Sequence, residues 1–203
     1  VHREMGPWPS SAEVYAGWSR MENLRRRSSS GGAFAALAQS VLEEGGVVFG
    51  AAYDDHMRVG HQAVFHLGDL RRLQGSKYVQ SSIGDSFTRA RDFLERGKMV
   101  LFSGTPCQVA GLYAIVDRHH EGLLTCDLLC YGVPSPGVFA DYVAYVESEF
   151  KTRLVDIDFR EKEYGWEKPR RVALLANGEE HEIVGGHDAY FAWFSSDITL
   201  RPV

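Results

Sequence analysis

With 203 residues, 44% of them apolar, the chain is long enough for one large or two small domains with a real core. A net charge of −5 with acidic and basic residues interspersed argues against a nucleic-acid surface, and Arg25-Arg26-Arg27 is too short a basic run to change that. No apolar run approaches the roughly 20 residues that span a bilayer and no apolar signal segment opens the chain, so the expectation is a cytoplasmic protein with no membrane partner.

The predicted elements alternate. Residues 1–26 read as an extended lead-in with a short strand over 13–19. After Arg27-Ser-Ser-Ser-Gly-Gly32, the spacing of Phe34, Leu37, Ala38, Val41 and Leu42 predicts a helix over 33–44, capped by a serine and ended by Gly45-Gly46. Residues 47–53 and 59–67 predict a hairpin closed at Asp54-Asp55, and Gly68-Asp69 starts a short helix to Leu73. Gly75-Ser-Lys-Tyr-Val-Gln-Ser-Ser82 is a polar segment with one cation and one aromatic ring. An amphipathic helix over 85–96 then leads into a doubly buried strand over 99–102.

The stretch 99–112 is the centre of the chain. Thr105 and Gln108 have capping-box spacing, Pro106 falls at the first helical position, and the expected free N–H groups face the mouth of the sheet. A helix is predicted over 108–116, a second buried strand over 123–129, a rigid loop at Cys130-Tyr-Gly-Val-Pro-Ser-Pro136 and a helix over 137–151. If these strands are parallel, as strand–helix alternation predicts, the 103–108 and 130–136 loops open on one edge of the sheet. Residues 153–186 change to a two-residue period with a hairpin turn at Asn177-Gly178, and a helix over 187–194 follows. The expected fold class is therefore α/β: a mixed sheet with parallel core strands flanked by helices, plus a C-terminal antiparallel hairpin. It reads as a single domain over 1–203, cut from a longer protein.

Three polar corners are candidate ligand contacts: Ser28 to Ser30, Lys77 with its neighbours, and Thr105 to Gln108. Each is equally an ordinary cap or connection. Neither a dinucleotide fingerprint nor a P-loop occurs, so a phosphate would rest on helix starts, with Lys77 as a point charge. The histidines, His56, His61 and His66 among them, read as solvated polar residues. Three cysteines, two of them in Cys126-Asp-Leu-Leu-Cys130, make neither a disulfide framework nor a conventional metal spacing. Cys107 and Cys130 lie at loop starts on one edge and could converge. A hydrolase or transferase would use Cys107 as nucleophile, yet no histidine is placed by sequence to activate it.

Arg27-Ser-Ser-Ser-Gly-Gly32, Gly75-Ser-Lys-Tyr-Val-Gln-Ser81, Val100-Leu-Phe-Ser-Gly-Thr-Pro-Cys-Gln108, Asp127-Leu-Leu-Cys-Tyr-Gly-Val-Pro-Ser-Pro136 and Phe159-Arg-Glu-Lys resemble, in the same order, motifs of the coenzyme F-420 hydrogenase/dehydrogenase beta-subunit family. The resemblance implies a mixed α/β flavin domain of an oxidoreductase. Such a domain would hold FAD and pass electrons between an iron–sulfur centre and an acceptor such as the deazaflavin coenzyme F-420. Its implied flavin pocket uses Ser29, Ser30, Gly31 and Gly32, then Lys77, Tyr78 and Gln80, then Ser103, Gly104, Thr105, Pro106 and Gln108. Cys107 and Cys130 match family cysteines and are implied ligands of a 4Fe-4S cluster whose other ligands lie outside this chain. The implied partners are a ferredoxin-like domain or redox subunit and a small-molecule acceptor. Tyr131 stands where family members often have His, and no Cys-x-x-Cys is present. Two other readings stay open: a non-catalytic docking module of the same fold beside surface-polysaccharide enzymes, and a cysteine-dependent transferase or hydrolase.

Overall fold

The computed structural model describes residues 13–200. Along the chain, α1 (Glu22–Arg26) and α2 (Ala33–Glu43) lead into β1 (Val47–Tyr53) and β2 (Val59–Val64). A 3-10 helix (Leu67–Leu73) and α3 (Ser86–Glu95) precede β3 (Val100–Gly104), α4 (Pro106–Leu112), β4 (Leu123–Asp127) and α5 (Pro136–Phe150). Then come β5 (Leu154–Glu161), β6 (Arg170–Leu175), β7 (Glu180–Glu182), a 3-10 turn (Gly185–Asp188) and α6 (Ala189–Ser195).

The larger sheet has the order β2-β1-β3-β4. β1, β3 and β4 are parallel, and β2 returns antiparallel on β1 as the hairpin expected from the turn at Asp54. Val100, Leu101 and Phe102 of β3, and Val48 and Phe49 of β1, are fully buried. Helices cover both faces: α2 and the 67–73 helix pack on Val48, Ala52 and Leu101, while α3 and α4 pack on Phe49, Val100 and Phe102. Burying each of these large side chains stabilises the sheet by about 1.5–3 kcal/mol. The second sheet, β5-β6-β7, is antiparallel, as the two-residue period over 153–186 and the hairpin turn at Asn177-Gly178 predict. A third cluster joins the sheets: Met57, Val59 and Val79 meet Phe139 and Val146 of α5 and Leu154, Ile157 and Phe159 of β5. The parallel strands therefore carry the loops after β3 and β4 to a common edge, and Leu128 N donates to Gly104 O across it at 3.0 Å.

Several expectations are corrected. Residues 13–19 form no strand, although Ser19 N donates to Gly31 O at 2.7 Å, and α1 follows where only lead-in was expected. The 1–12 part of the lead-in and the last residues, 201–203, lie outside the described residues. β4 is shorter than expected and half-buried rather than core, because among the described residues it is an edge strand with a neighbour on one side. Leu129, counted into that strand from its hydrophobicity, is 92% exposed. The predicted 187–194 helix is a 3-10 turn followed by α6. Among the described residues no helix is long and apolar enough to cross a membrane.

Candidate functional site

The Ser28–Gly32 corner opens α2, but not through a serine cap. The residue at the cap position is Gly32, in the left-handed conformation at φ 86°, and no side chain caps the helix. A side chain at that φ is strained, and a Cβ there would also press on Ser19 Cβ at 3.2 Å. The serines are spent elsewhere. Ser28 Oγ donates to Leu24 O at 2.7 Å, and Ser29 Oγ accepts from Ser76 N at 2.7 Å with the Ser76 hydroxyl at 2.9 Å. Ser30 offers its carbonyl to Lys162 Nζ, 2.9 Å away, which bonds Arg25 O at the same distance. The first turn of α2 thus keeps its main-chain donors without a side-chain cap, beside an ammonium from the β5–β6 loop. That donor set suits an anion.

The Ser103–Gln108 corner is more self-contained than expected. The Thr105–Gln108 box closes with Pro106 in the first turn. Thr105 N donates to Gln108 Oε1 at 2.9 Å, so one of the donors expected to be free is satisfied internally. Gln108 Nε2 reaches Ser81 Oγ at 2.9 Å. Behind it, His61 is 8% exposed, stacked on Phe102 at 5.1 Å, with Nε2 2.9 Å from Ser103 O and Nδ1 3.0 Å from Ser81 Oγ. Because a carbonyl only accepts, Nε2 carries the proton and Nδ1 accepts from Ser81. Burial holds this imidazole below its ordinary pKa, with the Ser103 bond opposing. The reading of the histidines as solvated is therefore overturned for His61. The alternation that buries Val59 places His61 on the same face, the one signal that could have found it.

The 75–82 segment lies between these corners: Ser76 meets Ser29, Ser81 meets Gln108, and Gln80 N donates to Pro134 O at 3.2 Å in the loop after β4. Lys77 and Tyr78 turn another way. Lys77 Nζ donates to Arg72 O at 2.9 Å and Gln74 O at 2.7 Å and lies 5.8 Å from the Tyr53 ring. The residue is half-buried overall, its ammonium being the enclosed end; burial, with Arg71 adding to it, pushes its pKa down to about 8. Tyr78 is enclosed by Phe159, Phe191 and Phe194 at 4.8–5.4 Å, and its carbonyl accepts from Tyr190 Oη at 2.6 Å.

Cys107 and Cys130 are exposed. The Cys107 thiol lies 3.1 Å from Thr105 Oγ1, a hydroxyl rather than the base that nucleophilic chemistry needs. Cys126 is half-buried; burial raises its thiol pKa, Asp127 adds to the rise and a Ser103 hydrogen bond opposes it. Among the described residues no three His, Cys, Asp or Glu side chains are grouped to hold a metal, so Cys107 and Cys130 would need ligands from beyond them to hold a cluster.

Two family models match this chain, both of the coenzyme F420 hydrogenase/dehydrogenase beta subunit. Residues 14–86 match the model of its N-terminal part, and residues 97–184 match the model of its C terminus. Among solved structures, the chain is similar to one from the xenon-derivatised F420-reducing NiFe hydrogenase complex of Methanosarcina barkeri, with a TM-score of 0.55 at 17% identity. The alignment covers 91% of this chain and 62% of that one, and at this identity it speaks for the fold. No curated protein matches.

Proposed function

Because the chain belongs to the coenzyme F420 hydrogenase/dehydrogenase beta-subunit family, we propose that it is a flavin-binding oxidoreductase domain passing electrons between an iron–sulfur centre and a small organic acceptor. Membership carries the redox role; the FAD, the 4Fe-4S cluster and the acceptor are this reading's own additions. The observation that supports it most is the meeting of Ser29 with Ser76 at the uncapped start of α2, beside Lys162. Main-chain donors there, with one ammonium, fit the phosphates of FAD. Gly31 and Gly32 keep side chains away from that turn.

FAD would supply the hydride and single-electron chemistry, and the protein would bind and orient it. The 103–108 corner is held rigid by the Gln108–Ser81–His61 relay, so its main chain stays fixed beside the 80–82 segment. Cys107 and Cys130, exposed on the edge where β3 and β4 end, are the candidate cluster ligands, completed by a ferredoxin-like domain or redox subunit.

The test is to mix the purified chain with FAD, remove free flavin by gel filtration and record the visible spectrum. Stoichiometric flavin absorbance is the expected result. A folded, colourless protein overturns the flavin reading and leaves the docking-module alternative.

A further inference from the structure

A cleft of about 510 Å³ opens on the side to which Lys77 turns, between the end of β1, the 67–77 segment and the first residues of β5. Its size is within the usual range of about 300–1,000 Å³ for small-molecule sites. Arg71, Arg72, Lys77 and Arg153 line it, together with Leu154, Val155 and Leu174. Three acids stand among them, and two are already engaged. Asp54 pairs with Arg58 Nε at 2.8 Å and accepts from the main chain of His56 and Arg58, while Asp156 faces Arg71 at 3.9 Å. Asp158, beyond Asp156, also faces Arg71, at 3.7 Å. Asp55 gives its carbonyl to Arg153.

Two wall residues carry polar atoms that the fold leaves unsatisfied. Gln74 is 6% exposed and its Nε2 has no hydrogen-bond partner; Tyr53 Oη is buried and likewise unpartnered. A buried donor left unmade costs on the order of 1–3 kcal/mol, so two in one wall are unusual for a purely structural surface. Both atoms can donate, and the nearby cations are three guanidiniums and one ammonium, which lack acceptors altogether. With Asp54 held by Arg58 and Asp156 facing Arg71, the cations Arg72, Lys77 and Arg153 stand against the single Asp55 carboxylate, so the cleft keeps an excess of positive charge.

We propose that this cleft binds a phosphate ester, its phosphate on Arg72, Arg153 and Lys77 and a small apolar body against Leu154, Val155 and Leu174. Planar guanidinium forks suit phosphate oxygens in pairs. The site shares Lys77 with the flavin pocket that the resemblance implies but uses none of Ser29–Gly32 or Ser103–Gln108, and the test with FAD below distinguishes its failure from that of the flavin reading.

The experiment titrates phenyl phosphate into the whole chain by calorimetry, with inorganic phosphate and benzyl alcohol as partial probes, then repeats it on an Arg72→Gln/Arg153→Gln double variant shown folded by circular dichroism. Phenyl phosphate should bind saturably at about 1 mM or tighter, and the double variant should lose about tenfold or more. If the double variant does not fold, Arg153→Gln alone replaces it, with the same expectation. No saturable binding to the folded chain, equal binding by the variant, or binding of benzyl alcohol as tight as that of phenyl phosphate overturns the proposal. Adding FAD separates the two sites: unchanged phenyl phosphate affinity supports a distinct site, and mutual displacement overturns it.

Discussion

Gln108 and Ser81, 27 residues apart, meet at 2.9 Å, and the Ser81 hydroxyl passes the connection on to His61. Through this pair, the loop after β3 is fastened to the strand on the far side of β1. Every polar side-chain atom in the relay has a role: Gln108 Oε1 accepts from Thr105 N, Ser81 Oγ accepts from Gln108 and donates to His61 Nδ1, and His61 Nε2 donates to Ser103 O. Such a satisfied buried network fixes geometry, and breaking one member strands the others.

Gly104 is small because of this network. A Cβ at Gly104 would lie 3.0 Å from Gln108 Oε1, 3.2 Å from Gln108 Cβ and 3.3 Å from His61 Nε2. Gly104→Ala is expected to push these side chains aside and cost about 1–3 kcal/mol, read by urea denaturation. A variant as stable as the parent would show that the corner has slack.

His61 sets a pH dependence. Burial lowers its folded pKa below the ordinary value of about 6.5, so below that value the unfolded chain takes up the proton more readily than the folded one. The contribution is full above about pH 6.5 and is lost as pH falls toward the folded pKa. Stability measured against pH should therefore drop across this window, and His61→Gln should flatten the drop. A slope unaltered by that substitution would assign the effect to other groups.

Lys162 ties the β5–β6 loop to the start of α2, through Ser30 O and Arg25 O. Under the flavin reading, Lys162→Gln should weaken FAD binding about tenfold by losing one charge-assisted contact, measured by quenching of flavin fluorescence. The ammonium is largely solvated, so stability should change by less than about 1 kcal/mol. Equal FAD affinity in the two proteins would remove Lys162 from the site.

Lys77 should titrate apart from the chain's other lysines. Its pKa, pushed down to about 8 chiefly by burial, means that the folded chain releases this proton well before the unfolded one. In reductively methylated protein, one methyl resonance should therefore titrate near 8 and vanish in Lys77→Met. Stability should also rise as pH passes from about 8 toward the ordinary lysine value, because the cost of the buried charge is then relieved. A resonance titrating with the other lysines would mean that the ammonium is hydrated.

Local patterns settled much of this protein before any folding in space. The Asp54 turn with its hairpin, the Asn177-Gly178 turn, the Thr105–Gln108 box and the parallel placing of β3 beside β4 depend on neighbours a few residues away or on strand–helix alternation, and the sequence carries both. The corners at 29, 76 and 108 were also legible as polar interruptions. Their meeting was not, because Ser29–Ser76 and Gln108–Ser81 join segments 47 and 27 residues apart. The same holds for environment. His61 is buried because its ring reaches past β1 onto Phe102 and Ser103 of β3, Lys77 faces the second sheet because Arg72 and Gln74 present carbonyls there, and β4 is half-solvated because no further strand among the described residues pairs with it. Residue type sets what a side chain can donate, accept or ionise; only the packed chain decides which neighbour it meets and how much water is left around it.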